Sequence, residues 1–135
     1  MSKSELSDLS RINLTDDKDQ IVNKIKKAKT DPLSMPKSTK ELNERLEAKN
    51  LLGIYASITD TTLEKSVEQF AGKNFSDFKE NLSQVLVDKI EPISLKIKKL
   101  LADHSYLDKI LLEGVEKADL IASNKIKRIK EIVGF

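Results

Sequence analysis

Few residues of this 135-residue chain have side chains that commonly carry chemistry. It has no cysteine and a single histidine, His104. The lack of cysteine excludes disulfides, thiol nucleophiles and thiolate metal ligands, and a lone histidine without a partner is a poor metal site. Asp16 and Asp17 could suggest a magnesium site, but two acids before a helix are explained more simply by the positive end of the helix dipole. We therefore predict no metal site.

Two groups of basic side chains could contact the phosphates of a polyanion. The first group is Lys24, Lys26, Lys27 and Lys29, and the second is Lys125, Lys127, Arg128 and Lys130. There are 24 lysines and arginines against 22 aspartates and glutamates, so the net charge of +2 allows such a partner without requiring one. A solvated helix face remains the alternative explanation of these runs.

Helices must position these side chains, because apolar residues recur at helical spacing along most of the chain. No stretch alternates with period two for long enough to suggest a sheet, and prolines occur at only three positions, namely Pro32, Pro36 and Pro92. The sequence predicts an all-α fold, in which a helical bundle follows an extended N-terminal loop arm.

The helix boundaries follow from capping residues and stripes. We expect the first helix after Thr15, capped by its hydroxyl, and a long helix from Ser76 to about Ala102 with a kink or break at Pro92. The last helix should start after Ser105. Both long helices carry an apolar stripe that a bundle would bury.

The N-terminal arm does not fit the bundle pattern. Its first residues are Met1-Ser2-Lys3-Ser4, and they match the end of the Lys-Met-Ser-Lys-Ser loop of class I aminoacyl-tRNA synthetases. The runs 10–17, 26–31, 50–55, 72–75 and 113–118 follow in the order and spacing of bacterial tryptophanyl-tRNA synthetases. The whole chain therefore resembles the C-terminal part of that family.

The resemblance implies a role for the loop in activating tryptophan with ATP, which is used with Mg²⁺ in the complete enzyme. Negative charge builds on the leaving phosphates in the transition state, and a mobile lysine that reaches them only then accelerates the step. Lys3 would be that catalytic group. Ser2 and Ser4 would bind the phosphates, and Met1 would lie near the adenine.

The same resemblance divides the chain into a catalytic-loop remnant and arm at residues 1–15 and a helical domain at residues 16–135 that binds the anticodon arm of tRNA(Trp). The second basic group, Lys125, Lys127, Arg128 and Lys130, is our first choice for the tRNA contact. One departure is that Glu5-Leu6 stand where the family usually has Asp-Pro.

The family places its nucleotide site in an upstream Rossmann domain with a His-Ile-Gly-His type motif, which this chain lacks. We expect the chain alone to be inactive as an enzyme. The preferred interpretation is a C-terminal fragment of a tryptophan–tRNA ligase that needs the missing N-terminal Rossmann domain. The alternatives are a stand-alone helical tRNA-binding module without catalytic activity, and a generic helical interaction domain.

The sequence also leads to expectations about cellular location and oligomeric state. The chain has no apolar run long enough for a membrane span and no secretory signal, so we expect a cytoplasmic protein without a membrane partner. The fragment should be monomeric and the full-length enzyme a homodimer, because the family's dimer contact is expected in the missing half.

Overall fold

The computed structural model describes residues 7–134, and within them it contains helices and no strand. The five α-helices are α1 (Lys18–Lys27), α2 (Leu46–Ile58), α3 (Leu63–Phe70), α4 (Phe75–Ala102) and α5 (His104–Val133). Short 3₁₀ turns occupy Asp8–Ser10 and Glu41–Asn43. The prediction of an all-α fold is confirmed. No helix in the described part is both long and apolar enough to cross a bilayer.

The chain divides into two compact units, residues 1–95 and 96–135, and the boundary falls inside α4. The core of the first unit is built from α1 to α4. Its centre is aromatic: the Phe70 ring lies 4.9 Å from both the Tyr55 and the Phe78 rings in edge-to-face geometry. The Tyr55 hydroxyl accepts a hydrogen bond from Gln69, so this polar tip is satisfied although the residue is buried.

The helix starts differ from several predictions because acids and amides cap them. Asp17, not Thr15, caps α1 in a reciprocal capping box with Gln20. Asn74 rather than Ser76 accepts from the first turn of α4, and Asp103 caps α5 one residue before His104. Aspartate, asparagine and serine are nearly equal as helix caps and threonine is only somewhat weaker, so a sequence with several of these residues before a helix does not single out the cap.

Pro92 does not break α4, since the helix is continuous from Phe75 to Ala102. The predicted break is therefore wrong, whereas the alternative, a kink at Pro92, stays a prediction. A proline removes one internal hydrogen bond of the helix, and the remaining bonds of α4 keep it continuous. In the second unit α5 ends at Gly134, whose φ of +83° gives the left-handed cap that glycine adopts without strain. No residue of α5 is buried.

Candidate functional site

The predicted catalytic residue Lys3 and the other predicted ATP-binding residues, Met1, Ser2 and Ser4, lie outside the described residues. The structure does describe the segment that follows them, from Ser7 onward. The described part of the arm contains no strand. It makes a 3₁₀ turn at Asp8–Ser10, capped by the Ser7 side chain, and the non-helical residues 11–17 then connect this turn to α1.

A buried lysine on α1 holds this segment. The Lys24 side chain is only 4% exposed. Its Nζ lies 2.7 Å from Oδ2 of Asp8 and 2.7 Å from Oδ2 of Asp16. Asp16 is likewise buried, whereas the Asp8 side chain is 57% exposed. One cation therefore joins two carboxylates that lie at opposite ends of the segment.

Asn13 closes the loop between these carboxylates. Its side-chain amide donates to Asp8 at 3.0 Å, and its backbone N–H donates to Asp16 at 2.8 Å. Arg11 adds an ion pair to Asp8 at 3.3 Å. We call Asp8, Asn13, Asp16 and Lys24 the Lys24 cluster. Its two carboxylates each receive several donors, so the charge of both is compensated.

The charges of the cluster reinforce one another. Burial alone would lower the pKa of the Lys24 ammonium, but its hydrogen bonds to Asp16 and Asp8 raise that pKa above the ordinary value. The hydrogen bond from Lys24, followed by the one from Asn13, lowers the pKa of the Asp8 carboxyl. Both partners are thus held in their charged forms at neutral pH.

The first basic group does not act as one surface. Lys24 is buried in the cluster, so it is not available to an external phosphate, whereas Lys26, Lys27 and Lys29 are exposed. The Lys29 ammonium lies 3.3 Å from the Glu47 carboxylate. Sequence reasoning missed Lys24 because its partners come from a non-helical segment whose path is not encoded in helical spacing.

The end of α1 is tied to α4 by another lysine. Lys79 donates to the backbone carbonyls of Lys26 and Ala28, which the helix terminus leaves without internal partners. Burial lowers the pKa of Lys79. Lys79 also lines a groove of about 510 Å³ between α1 and the start of α4, together with Lys18 and Lys26.

The second basic group lies on α5 and is fully on the surface. Residues three apart on a helix share a side, while residues one or two apart do not. Lys127 and Lys130 therefore form one pair, and Lys125 and Arg128 form another on a different side. The group offers two cationic edges rather than a single patch.

No group of three acidic or histidine side chains within residues 7–134 is arranged to hold a metal ion. The two acids that had suggested magnesium serve separate structural roles. Asp17 caps α1, and Asp16 bonds Lys24. His104 lies in the first turn of α5 and is exposed.

The sequence of this chain is similar to those of known tRNA synthetases. The family model for tRNA synthetases class I (W and Y) matches residues 1–91. The tryptophan–tRNA ligase of Rickettsia felis is 47% identical over 135 residues, which cover 100% of this chain and 40% of that protein. The tryptophan–tRNA ligases of Agrobacterium fabrum and Brucella suis biovar 1 are 45% and 44% identical over the same span and are covered to 38%. The chain thus spans about two fifths of the length of these relatives.

Proposed function

We propose a function from one premise: the chain belongs to the class I tRNA synthetases of the tryptophan and tyrosine family. We infer that it works as the C-terminal part of a tryptophan–tRNA ligase. It would supply the loop that binds ATP and pyrophosphate and the helical domain that binds the anticodon arm of tRNA(Trp). The observation that carries the proposal is the continuous likeness to tryptophan–tRNA ligases from residue 1 to residue 135.

Lys3 is the proposed catalytic group of the loop. Its ammonium would stabilise the negative charge that develops on the phosphates of ATP, and the hydroxyls of Ser2 and Ser4 would hold the same phosphates in place. Met1 would lie beside the adenine. ATP with Mg²⁺ is the substrate in the complete ligase, and the tryptophan pocket belongs to the proposed Rossmann partner.

The tRNA surface is proposed on α5. The pairs Lys127/Lys130 and Lys125/Arg128 are exposed cations on a helix without buried side chains, so they can meet phosphates without repacking a core. Each phosphate contact would contribute to a salt-dependent affinity. The complete ligase would work in the cytoplasm as a homodimer, with this chain alone monomeric and inactive.

The test uses a complete ligase. In it, residues 1–135 of this chain replace the matching part of the Rickettsia felis enzyme. Tryptophan-dependent exchange of pyrophosphate into ATP measures activation, and tRNA charging measures the second step. We expect Lys3→Ala to slow activation by about 10²- to 10³-fold, as the loss of one charge-stabilising donor does. Lys89→Ala, which removes an exposed lysine on α4, is the matched control and should leave activation unchanged.

The tRNA surface is tested in the same ligase with Lys127→Gln combined with Lys130→Gln. We expect a higher KM for tRNA and a slope of affinity against salt that is shallower by about one unit per lost contact, with pyrophosphate exchange unchanged. A large loss of tryptophan affinity in Lys3→Ala, with a normal activation rate, would contradict the catalytic assignment. An unchanged salt slope would remove this pair from the tRNA surface.

A further inference from the structure

We propose that the groove between α1 and the start of α4 is a further tRNA surface, in which three lysines bind phosphates of the tRNA backbone. We call it the α1–α4 groove. It has a volume of about 510 Å³, and its cations are Lys18, Lys26 and Lys79. This inference rests on the proposed function, because it names a second place at which the same partner binds. The groove lies wholly within the first unit of the chain, whereas the proposed α5 surface lies in the second.

The side chains that line the groove come from one face of each helix. On α1 they are Lys18, Val22 and Lys26, which are four residues apart and therefore share one side. The α4 side repeats at the same helical spacing and consists of Ser76, Lys79, Glu80, Ser83, Gln84 and Val87. Eight residues separate Lys18 from Lys26, which is about 12 Å along the helix axis. The two lysines can therefore contact different phosphates of one strand.

The groove lysines lack the acidic partners that other cations of the first unit have. Lys24 and Lys29 both lie in ion pairs. In the part of the chain that the structure describes, Lys18, Lys26 and Lys79 form none. Only one of the lining side chains is acidic, so three ammonium groups share the groove with one carboxylate. The groove therefore has an excess of positive charge that an external anion can neutralise.

One of the three ammonium groups is already fixed in position by the fold. Lys79 Nζ donates to the backbone carbonyls of Lys26 and Ala28, at 3.1 and 2.6 Å. An ammonium has three N–H donors, so one is left for a phosphate oxygen. Burial lowers the pKa of Lys79, because its ammonium has lost water without gaining a counter-charge. An anion in the groove would supply that counter-charge.

The lining favours the sugar–phosphate backbone over the bases of a nucleic acid. None of the lining side chains is aromatic, so the groove offers no ring on which a base could stack. The Ser76 hydroxyl and the Gln84 amide are exposed donors for phosphate or ribose oxygens. Contacts of this kind position a nucleic acid without reading its sequence. We therefore assign the groove to holding tRNA and not to recognising the anticodon.

The first test is a double variant in the complete ligase, Lys18→Gln combined with Lys26→Gln. Both lysines are exposed, so the core is untouched, and Lys79 is kept because it caps the end of α1. We expect the slope of log affinity for tRNA(Trp) against log salt to become shallower by about one unit per lost contact, and KM for tRNA to rise about tenfold per contact at 0.1 M salt. Lys65→Gln with Lys89→Gln is the matched control, since it removes two exposed lysines elsewhere in the first unit.

A second test uses the wild-type ligase and needs no variant to fold. Exposed lysines are acetylated with an N-hydroxysuccinimide ester, with and without tRNA(Trp), and the modified positions are found by mass spectrometry. We expect tRNA to lower the reactivity of Lys18 and Lys26 and to leave Lys65 and Lys89 unchanged. Equal reactivity of Lys18 and Lys26 in the two samples would overturn the proposal.

A third variant should change the affinity in the opposite direction. Glu80→Gln removes the one acid that lines the groove, so tRNA should bind more tightly, with a lower KM than in the wild type. Damage to the fold cannot produce such a gain. Glu68→Gln, at an exposed acid of α3, is the control for the loss of one negative charge and should have a smaller effect. Equal effects of the two variants would overturn a local role of the groove.

The outcomes separate the groove from the rest of the proposed function. If Lys127→Gln with Lys130→Gln leaves the salt slope unchanged while the groove variant lowers it, the α5 surface fails and the groove stands. If the α5 variant lowers the slope and Lys18→Gln with Lys26→Gln does not, the groove is overturned and the α5 surface stands. Slower tryptophan-dependent pyrophosphate exchange in the groove variant would also overturn the proposal, because that reaction involves no tRNA and the groove would then serve ATP.

Discussion

The two units of the chain carry apolar side chains at the same helical spacing, but only the first unit buries them. Every buried residue in the described part lies at or before Ser94, and α5 contains none. Leu111 and Leu120 on α5 are each 66% exposed, whereas Phe70 and Phe78 are at most 1% exposed. Periodicity therefore reports the composition of a helix face, and burial requires a second surface that covers it.

The difference also concerns what keeps each unit ordered. The first unit has an aromatic core and ion pairs such as Asp31–Arg45 that join distant parts of the chain. In the second unit, α5 has local devices, namely an Asp103 cap at its start and a Gly134 cap at its end. A 30-residue helix is long enough for local stability to be appreciable, but helices mostly gain stability from tertiary packing. Tertiary and local changes should therefore act on different units.

The largest expected effect separates a core residue from a residue on the exposed stripe. Phe78→Ala removes a fully buried ring that packs against Phe70, and should lower the free energy of unfolding by about 3–5 kcal/mol. Leu111→Ala, also in a predicted stripe, should change it by less than about 0.5 kcal/mol because the side chain is already in water. Urea unfolding of the chain, followed by circular dichroism, measures both. Equal losses in the two variants would show that α5 is packed in solution.

The same pair shows how far the fold could be predicted from the sequence. The apolar stripes of α4 and α5 correctly predict two helices. In the α4 stripe Phe78, Leu82 and Ile90 are in the core, whereas its later members Ile93 and Leu101 are exposed. The α5 stripe, read in the same way, is not buried. Nothing in a single-helix pattern says whether another element lies against it, since that depends on long-range arrangement.

The candidate site was less predictable than the fold. The sequence pattern groups Lys24 with Lys26 and Lys27 as candidate surface cations, because all three are lysines on one short helix. The structure gives it Asp8 and Asp16, which are 16 and 8 residues away along the chain. Local rules pair helical charges three or four residues apart, so they could not find partners in a non-helical arm.

A medium effect is expected from the ion pair between Asp31 and Arg45 in the first unit, which we call the polar clamp. Arg45 donates to both oxygens of Asp31, at 2.9 and 2.6 Å, and its guanidinium lies 5.7 Å from the centre of the Phe75 ring. Asp31→Ala should lower the free energy of unfolding at neutral pH by about 2 kcal/mol, in the range of charge-assisted hydrogen bonds. Asp88→Ala, at an exposed acid of α4, is the control.

The pH dependence of the free energy of unfolding gives a second test of the Asp31–Arg45 ion pair. The hydrogen bond from Arg45 lowers the pKa of Asp31 below its ordinary value of 3.8. A lowered pKa in the folded state stabilises the protein above the ordinary pKa, and the contribution is lost as the pH falls through the lowered value. The difference between wild type and Asp31→Ala should therefore be full at pH 7 and should shrink below pH 4. A difference that persists undiminished into strong acid would exclude the ion pair as its cause.

The smallest expected effect tests whether the two units respond separately. Gly53 in α2 and Gly114 in α5 are both inside helices, and a Cβ added at either position meets no atom within 4 Å. Alanine should therefore stabilise each helix by about 0.5–1 kcal/mol, because glycine loses more backbone freedom on becoming helical.

Where that gain becomes visible should differ between the two sites. Gly53→Ala lies in the unit with the core, so it should move the main urea transition to higher denaturant. Gly114→Ala should leave that transition in place and instead slow hydrogen exchange along α5, because the order of this helix comes from its own backbone and caps. If both substitutions moved the main transition equally, α5 would be unfolding together with the core, and the separation of local from tertiary stability would be wrong.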